Sequence, residues 1–418
     1  MKARIFVPLS LIAAIALLVP GGVRLSATQP QPASLLILYD QSSAGFTTGG
    51  RAHTIILFIG DGMGEGQRTA GRWLKVGQNG ALAMDAMPFS GWSRTASANN
   101  PITDSAAGGT ALATGVKTNN GMIAMDPDQK PLTTILERAQ VQGMAVGLVT
   151  TTQMAHATPA SFAAHVPDRN MMTEIARQMF EARVDVLLGG GEDEFLPYSA
   201  TGHYPEPGER DDGRNLIQEA MAAGYTYVWD MATFAAVDPT STSRLLGLFA
   251  DEEMGRPFSP SLVEMTEKAI DILSQDPDGF FLMVEGGQID WACHNNDAEN
   301  AMADTIGLDD GVTVAKTYAL TASDTLIIVT ADHETGGMSA DLTSSGSPGE
   351  DGPFLMPDGT TSFWVNWTTS NHTAADVPTT GQGPWSDLLA GTYENTHIHD
   401  VMYIALVKVF LPLVFKNY

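Results

Sequence analysis

Cysteine is nearly missing from this chain. Its 418 residues include one, Cys293, which excludes an internal disulfide framework. Basic residues are also scarce, with 22 Lys and Arg against 48 Asp and Glu and a formal net charge of -26. So little positive charge cannot easily form a basic patch, which argues against nucleic-acid binding. A protein this acidic that handles an anionic substrate needs local positive charge, and bound metal ions are the obvious source. Long apolar runs are lacking too. Residues 5–20 are short for a membrane span, and the apolar stretch 401–415 is short as well and carries a lysine. No internal repeat shows at a fixed period.

What the chain does have is length and apolar content. With 44% hydrophobic and 17% charged residues, it can bury a large core in one big α/β domain or two smaller ones. Lys2 and Arg4 precede the apolar residues 5–20, and Leu25-Ser26-Ala27 offers a cleavage site in which Leu25 fits poorly. This pattern predicts a secretory signal over 1–27, with an uncleaved anchor as the alternative. The protein is then secreted or periplasmic, with no stable membrane insertion once the signal is removed. Residues 28–50 read as a linker with a short strand at 35–38, and 51–400 as the main folded domain. Within that domain 339–370, rich in Gly, Pro, Ser and Thr, is an insertion. Residues 401–418 form a tail that docks as a helix or a strand.

The stretch Thr103-Asp104-Ser105-Ala106-Ala107-Gly108-Gly109 sets a serine at the start of a helix expected over 106–115. Helix starts carry unpaired N–H groups and a positive dipole end, so an anion docks there readily. Ser105 reads either as a nucleophile, if something lowers its pKa, or as an N-cap on an ordinary helix.

Apolar runs predict strands at 53–59, 145–149, 184–188, 280–284 and 325–329, and helices at 132–142, 161–165, 172–181, 215–223, 262–274 and 295–320. The last of these helices carries a candidate break near Gly307 or Gly311. The first strand ends in Gly60-Asp61-Gly62-Met63-Gly64, which is not a dinucleotide fingerprint. Asp61 there is either a ligand or a turn residue capping the next helix. His156 and Thr158 follow the second strand. The run Gly189-Gly190-Gly191-Glu192-Asp193 reads as a strand exit, since no Gly-Lys-Ser/Thr follows. Glu285, Asp290 and His294 follow the fourth strand. The spacing of Asp290 and His294 puts a carboxylate and an imidazole on one helical face, a pairing that suits zinc. Cys293 points elsewhere and reads as a small buried residue. Asp332 and His333 follow the last strand; His333-Glu334-Thr335-Gly336-Gly337 lacks the second histidine of HExxH. Open α/β sheets gather their sites outside the carboxyl ends of the strands, so these groups can converge beside Ser105 in a multi-metal site.

These motifs, with Thr103-Asp104-Ser105-Ala106-Ala107-Gly108, His156-Ala157-Thr158-Pro159 and Asn371-His372-Thr373, closely resemble those of the alkaline phosphatases, in the family's order from about residue 52 to 400. The resemblance implies a mostly parallel central α/β sheet flanked by helices on both faces, two zinc ions and one magnesium. It implies that Ser105 is a nucleophile bound to one zinc with Asp61, Asp332 and His333. Asp290, His294 and His372 hold the second zinc, and Asp61, Thr158 and Glu285 the magnesium. Arg169, set by Ala164-His165-Val166-Pro167-Asp168, grips the phosphate. His156 and Trp291 stand at positions that vary in the family and face the substrate or the third metal. The implied reaction is hydrolysis of small phosphate monoesters through a phosphoserine. The family implies a homodimer, while the short insertion points to a monomer. Rival readings are a sulfatase or phosphodiesterase on the same fold, or a non-catalytic binder of metal or phosphate. Against a sulfatase, no Ser/Cys-x-Pro-x-Arg run surrounds Ser105. Against a binder, both Ser105 and Arg169 are present.

Overall fold

Strand β1 (Thr54–Gly60) is buried along its whole length and divides the interior in two. Ile55, Leu57 and Ile59 join one apolar cluster, while Ile56 and Phe58 join the other. Side chains alternate with a period of two, so a strand apolar at every position must be covered on both faces. The first cluster is closed by helices Ser105–Thr114, Ile135–Val141, Ala157–Ala163, Met172–Glu181 and Thr396–Leu406, and the second by Leu262–Leu273 and Ala298–Ala319. The structure, a computed structural model, describes residues 50–407. The expected signal, most of the linker, the 35–38 strand and the chain from 408 onward lie outside the described residues.

After β1 come β2 (Phe89–Arg94), β3 (Ala145–Gln153), β4 (Val186–Gly190), β5 (Thr226–Val228), β6 (Leu245–Leu248), β7 (Phe280–Gly286) and β8 (Thr325–Thr330). Then follow β9 (Glu334–Thr335), β10 (Ser339–Asp341), β11 (Asp351–Leu355), β12 (Ser362–Asn366), β13 (His372–Thr373), β14 (Val377–Gln382) and β15 (Gly391–Glu394). Ten of these form the central sheet in the order β15-β2-β14-β8-β1-β7-β3-β4-β6-β5. Only β14 runs antiparallel to its neighbours β2 and β8. The α/β class and the mostly parallel sheet flanked by helices are therefore as expected. Register positions the site: Ile59 lies opposite both Glu285 and Thr330, so Asp61, Glu285 and Asp332 leave the sheet at one level.

Several local expectations change. Asp104, not Ser105, caps the Ser105–Thr114 helix, accepting from the Ala107 N–H at 3.0 Å. The Ser105 hydroxyl is thereby left for other partners. Helix Glu65–Val76, which follows β1, is capped by the Gly64 backbone and Gln67, so Asp61 is not a cap. The expected 161–165 helix instead runs Ala157–Ala163, with Pro159 in its first turn, where a missing N–H costs nothing. Helix Ala298–Ala319 is unbroken; Gly311 lets it approach β1, where an added Cβ would sit 3.4 Å from the Phe58 ring. The insertion folds as the antiparallel sheet β10-β12-β11, and Phe363 on β12 packs edge-on against Trp73 with centroids 5.6 Å apart. The expected boundary at 400 falls inside helix Thr396–Leu406, whose Val401, Met402 and Ala405 are buried in the core. Among the described residues no helix is long and apolar enough to cross a membrane.

Candidate metal centre and active site

The Ser105–Thr114 helix is built from small residues, and this brings it against the last parallel strand of the site. A Cβ on Gly108 would lie 3.0 Å from the Asp332 Cβ, and one on Gly109 would lie 2.9 Å from the Ser161 hydroxyl. Glycine at 108 lets the Ser105–Thr114 helix close on the β8 exit, and glycine at 109 lets it close on helix Ala157–Ala163. Ser105 Oγ ends up 3.3 Å from His333 Nε2 and 3.5 Å from Asp61 Oδ1.

Three ligand groups converge there, each with its donor atoms within 4.8 Å of one another: Asp61, Asp332 and His333; Asp290, His294 and His372; and Asp61, His156 and Glu285. Asp61 belongs to two of them. In the second group His372 Nδ1 faces the Thr103 carbonyl at 2.9 Å, and His294 Nδ1 faces the Ser370 carbonyl at 2.7 Å. A carbonyl only accepts, so each Nδ1 carries a hydrogen and each ring turns its Nε2 inward. Those two nitrogens sit 3.1 Å apart, with the Asp290 carboxylate 3.3 Å from one and 3.5 Å from the other. Two imidazole nitrogens facing one another beside a carboxylate call for a positive charge between them, a proton or a cation. His333 is oriented in the same way. The Thr335 hydroxyl donates to Asp290, so at 3.2 Å it accepts from His333 Nδ1 and leaves Nε2 free toward Asp61 and Asp332.

The carboxylates carry the same message. Burial, then repulsion from Asp332, Asp290 and Glu285, pushes Asp61 well above the usual carboxylate range. Burial, then Asp290 and Glu285, pushes Asp332 up to about 8, and burial pushes Glu285 up to about 7. Asp290 goes the other way. Burial opposes its charge, but the hydrogen bond with His294 and the three nearby imidazoles hold it below the ordinary range. Asp290 in turn raises His294 to about 9. Buried oxygens of Asp61, Asp332, Glu285 and Thr158 make no hydrogen bond of good geometry. Oxygen donors left over in this way fit divalent cations.

Arg169 stands beside the serine with its guanidinium pinned on two sides. Nη1 donates to Asp104 Oδ2 at 3.3 Å and Nη2 to His156 Nε2 at 2.9 Å. Burial and the Arg169 charge hold the His156 imidazole down to about 3, so it remains a neutral acceptor. Trp291 meets the His156 ring edge-on with centroids 5.7 Å apart.

The chain matches the alkaline phosphatase family model over residues 52–357. It belongs to the alkaline phosphatase family. Among curated relatives it is 34% identical to alkaline phosphatase 3 of Bacillus subtilis, covering 84% of this chain and 88% of the relative. It is 35% identical to streptomycin-6-phosphate phosphatase of Streptomyces griseus, covering 85% and 90%. The solved alkaline phosphatase of the Antarctic bacterium TAB5 superimposes with a TM-score of 0.72 at 30% identity, over 85% of this chain and 98% of that one. A TAB5 variant with aspartate in place of a histidine holds magnesium in its M3 site. This alkaline phosphatase is thus a phosphomonoesterase of a metal-dependent family.

All twelve site residues singled out in the sequence of this alkaline phosphatase lie in or against this cluster. Four others escaped. Asp104 was visible as a neighbour of Ser105, but its hold on Arg169 crosses 65 residues. Thr335 links Asp290 to His333, and Thr150 donates to Glu285 at 2.5 Å. Buried Glu334 takes hydrogen bonds from Gln67 and Thr373 beneath the site. The threonine run ending β3 was the one local signal for Thr150. Nothing local marks the others.

Proposed function

We propose that this alkaline phosphatase hydrolyses small phosphate monoesters through a phosphoserine at Ser105, with two zinc ions and one magnesium as cofactors. The observation that carries the reading is the convergence on one serine hydroxyl of inward imidazole nitrogens and of three buried carboxylates, Asp61, Asp332 and Glu285, that each keep one oxygen without a hydrogen-bond donor. Asp61, Asp332 and His333 would hold one zinc beside Ser105, and Asp290, His294 and His372 the other. Asp61, Thr158 and Glu285 would hold magnesium, an identity supported by the ion named for the TAB5 variant. Bound there, these cations supply the positive charge that favours an ionised serine oxygen and neutralises the phosphoryl group.

The protein's own residues do the positioning. Ser105 Oγ lies at the start of a helix whose N–H groups and dipole favour an anion. Two of Arg169's five donors are held by Asp104 and His156, which leaves its fork oriented to receive two phosphoryl oxygens. Trp291 steadies His156 and so acts on the substrate through Arg169. Ser105 Oγ attacks phosphorus, the bond to the ester oxygen breaks, and the alcohol leaves with a proton. Water then attacks the phosphoserine, returning the serine hydroxyl and inorganic phosphate. Buried Asp61 and Asp332 exclude bulk water from this centre.

The N-terminal residues support export of the enzyme to the periplasm or medium. N-terminal sequencing of the exported protein should begin after residue 27, and an intact Met1 would contradict cleavage. The substrate class is tested by rates on nitrophenyl phosphate, bis-nitrophenyl phosphate and nitrophenyl sulfate. The monoester should be fastest by orders of magnitude, and a faster diester or sulfate would overturn the reading.

A further inference from the structure

A second group of acids lies outside this centre, where β3 and β4 leave the sheet. Carboxylate oxygens of Asp193, Glu209 and Glu252 lie within 4.8 Å of one another. Asp193 is buried, while Glu209 and Glu252 reach solvent. Acidic surface residues cluster often, so this alone means little. The deciding observation is Glu194. It is only 1% exposed, its Oε2 has no hydrogen-bond partner, and its carboxyl stands against those of Asp193, Glu252 and Glu209. Among the described residues none of the four carboxylates forms an ion pair. Arg210 is nearby but donates to the carbonyls of Thr173 and Glu194 and pairs with Asp212. Gln153, at the end of β3, donates through Nε2 to Glu252 at 2.7 Å, and its Oε1 is buried without a partner. Gly191, at φ 85°, closes the back of the cradle; a Cβ there would lie 2.3 Å from Glu194 Oε2.

We propose that Asp193, Glu194, Glu209 and Glu252, with the amide oxygen of Gln153, bind a calcium-like divalent cation at a site separate from the ions beside Ser105. A buried carboxylate with no donor and three like-charged neighbours is costly unless a cation or proton sits among them. Every donor is oxygen, the choice of a hard cation rather than zinc. The spacing of Asp193, Glu209 and Glu252 suits one ion about 2.3–2.6 Å from each of them, and the two exposed glutamates leave room for water ligands. Burial, then Glu252 and Glu209, pushes Asp193 up to about 7, the same demand for positive charge expressed as a proton. Such an ion would tie the 191–210 segment and Glu252 to the end of β3. The Gln153 carbonyl there accepts from the His156 N–H at 3.0 Å, so the bound ion would brace the strand exit that leads to His156 and Thr158.

The test uses the full chain loaded with zinc and magnesium. Calorimetric titration with calcium should show one further saturable site. Calcium at about 100-fold over its Kd should raise Tm by about 3–5 °C. Both responses should vanish in the Glu209→Gln/Glu252→Gln double variant. Those positions are exposed, and removing two repelling charges should leave the variant at least as stable as the parent in calcium-free buffer. Glu253→Gln, next door and exposed, should keep both responses. The proposal is overturned if calcium binds without saturating, if the double variant takes up calcium like the parent, or if calcium enters only by displacing zinc or magnesium. These readouts are independent of turnover, so their failure would leave the phosphoserine reading standing.

Discussion

Two acidic clusters share the carboxyl edge of one sheet and differ in what completes them. At the exits of β1, β7 and β8, Asp61, Asp332, Glu285 and Asp290 are buried and interleaved with His294, His333 and His372. At the exits of β3 and β4, Asp193, Glu194, Glu209 and Glu252 offer oxygen only, and two of them reach solvent. Both places demand positive charge, but imidazole nitrogen suits zinc and an all-oxygen set suits calcium. Glu137 shows the ordinary solution, with a protein partner of its own: His165 Nε2 lies 3.0 Å away. An acid without such a partner points to a ligand. An acid that has one points to structure.

Ser105, the proposed nucleophile, should show the greatest loss. Ser105→Ala should lower kcat/KM by at least about 10⁴-fold while zinc and magnesium content stay unchanged, read by steady-state rates and metal analysis. Near-parental turnover would refute covalent catalysis. Exhaustive chelation should silence the parent enzyme. Zinc with magnesium should restore it and calcium alone should not; rescue by calcium alone would erase the distinction between the two clusters. Arg169→Lys removes the planar fork and should cost about 10–100-fold in kcat/KM, with Asp104→Asn showing a smaller loss in the same direction. Thr335→Val unties His333 from Asp290 and should weaken zinc retention about 10–100-fold in competition with a chelator.

The smallest expected effect is at the control pair. Burial opposes the charge on His165, but its hydrogen bonds with Glu137 and Ala124 raise its pKa above 6.5. Burial likewise opposes Glu137, whose bonds with His165 and Thr134 bring it below 4.5. A raised histidine stabilises below its unfolded pKa and loses that contribution as pH rises through the folded value. A lowered carboxylate stabilises above its unfolded pKa and loses its share as pH falls. The pair therefore contributes most between pH 4.5 and 6.5. His165→Gln should cost at most about 1 kcal/mol there, less at alkaline pH, and the same with or without metal. A cost that tracks metal content would tie this pair to the ion cluster.

The sequence made much of this centre legible because its ligands sit immediately after apolar strands, where local pattern and site coincide. Asp61, Glu285 and Asp332 each follow a buried run, and the sheet register then aligns them. Strands β2, β14 and β15 escaped because Phe89–Arg94 is half exposed and Val377–Gln382 and Gly391–Glu394 carry one large apolar side chain each, Val377 and Tyr393, too few for an apolar run. Their pairing depends on neighbours distant in sequence. Asp104 and Thr335 were missed as positioning residues for a related reason: each acts on a residue that only the fold brings near. Glu194 could not be read at all. Its meaning lies in a missing partner, and a sequence does not show partners.

The most direct measurement is an acid-quenched single turnover of a phosphate monoester, followed by mass analysis of the peptide carrying Ser105. Phosphoserine at Ser105 is expected in near one-to-one yield with the alcohol first released. Full alcohol release with no phosphate on that peptide, or with the phosphoryl group on another residue, would contradict it.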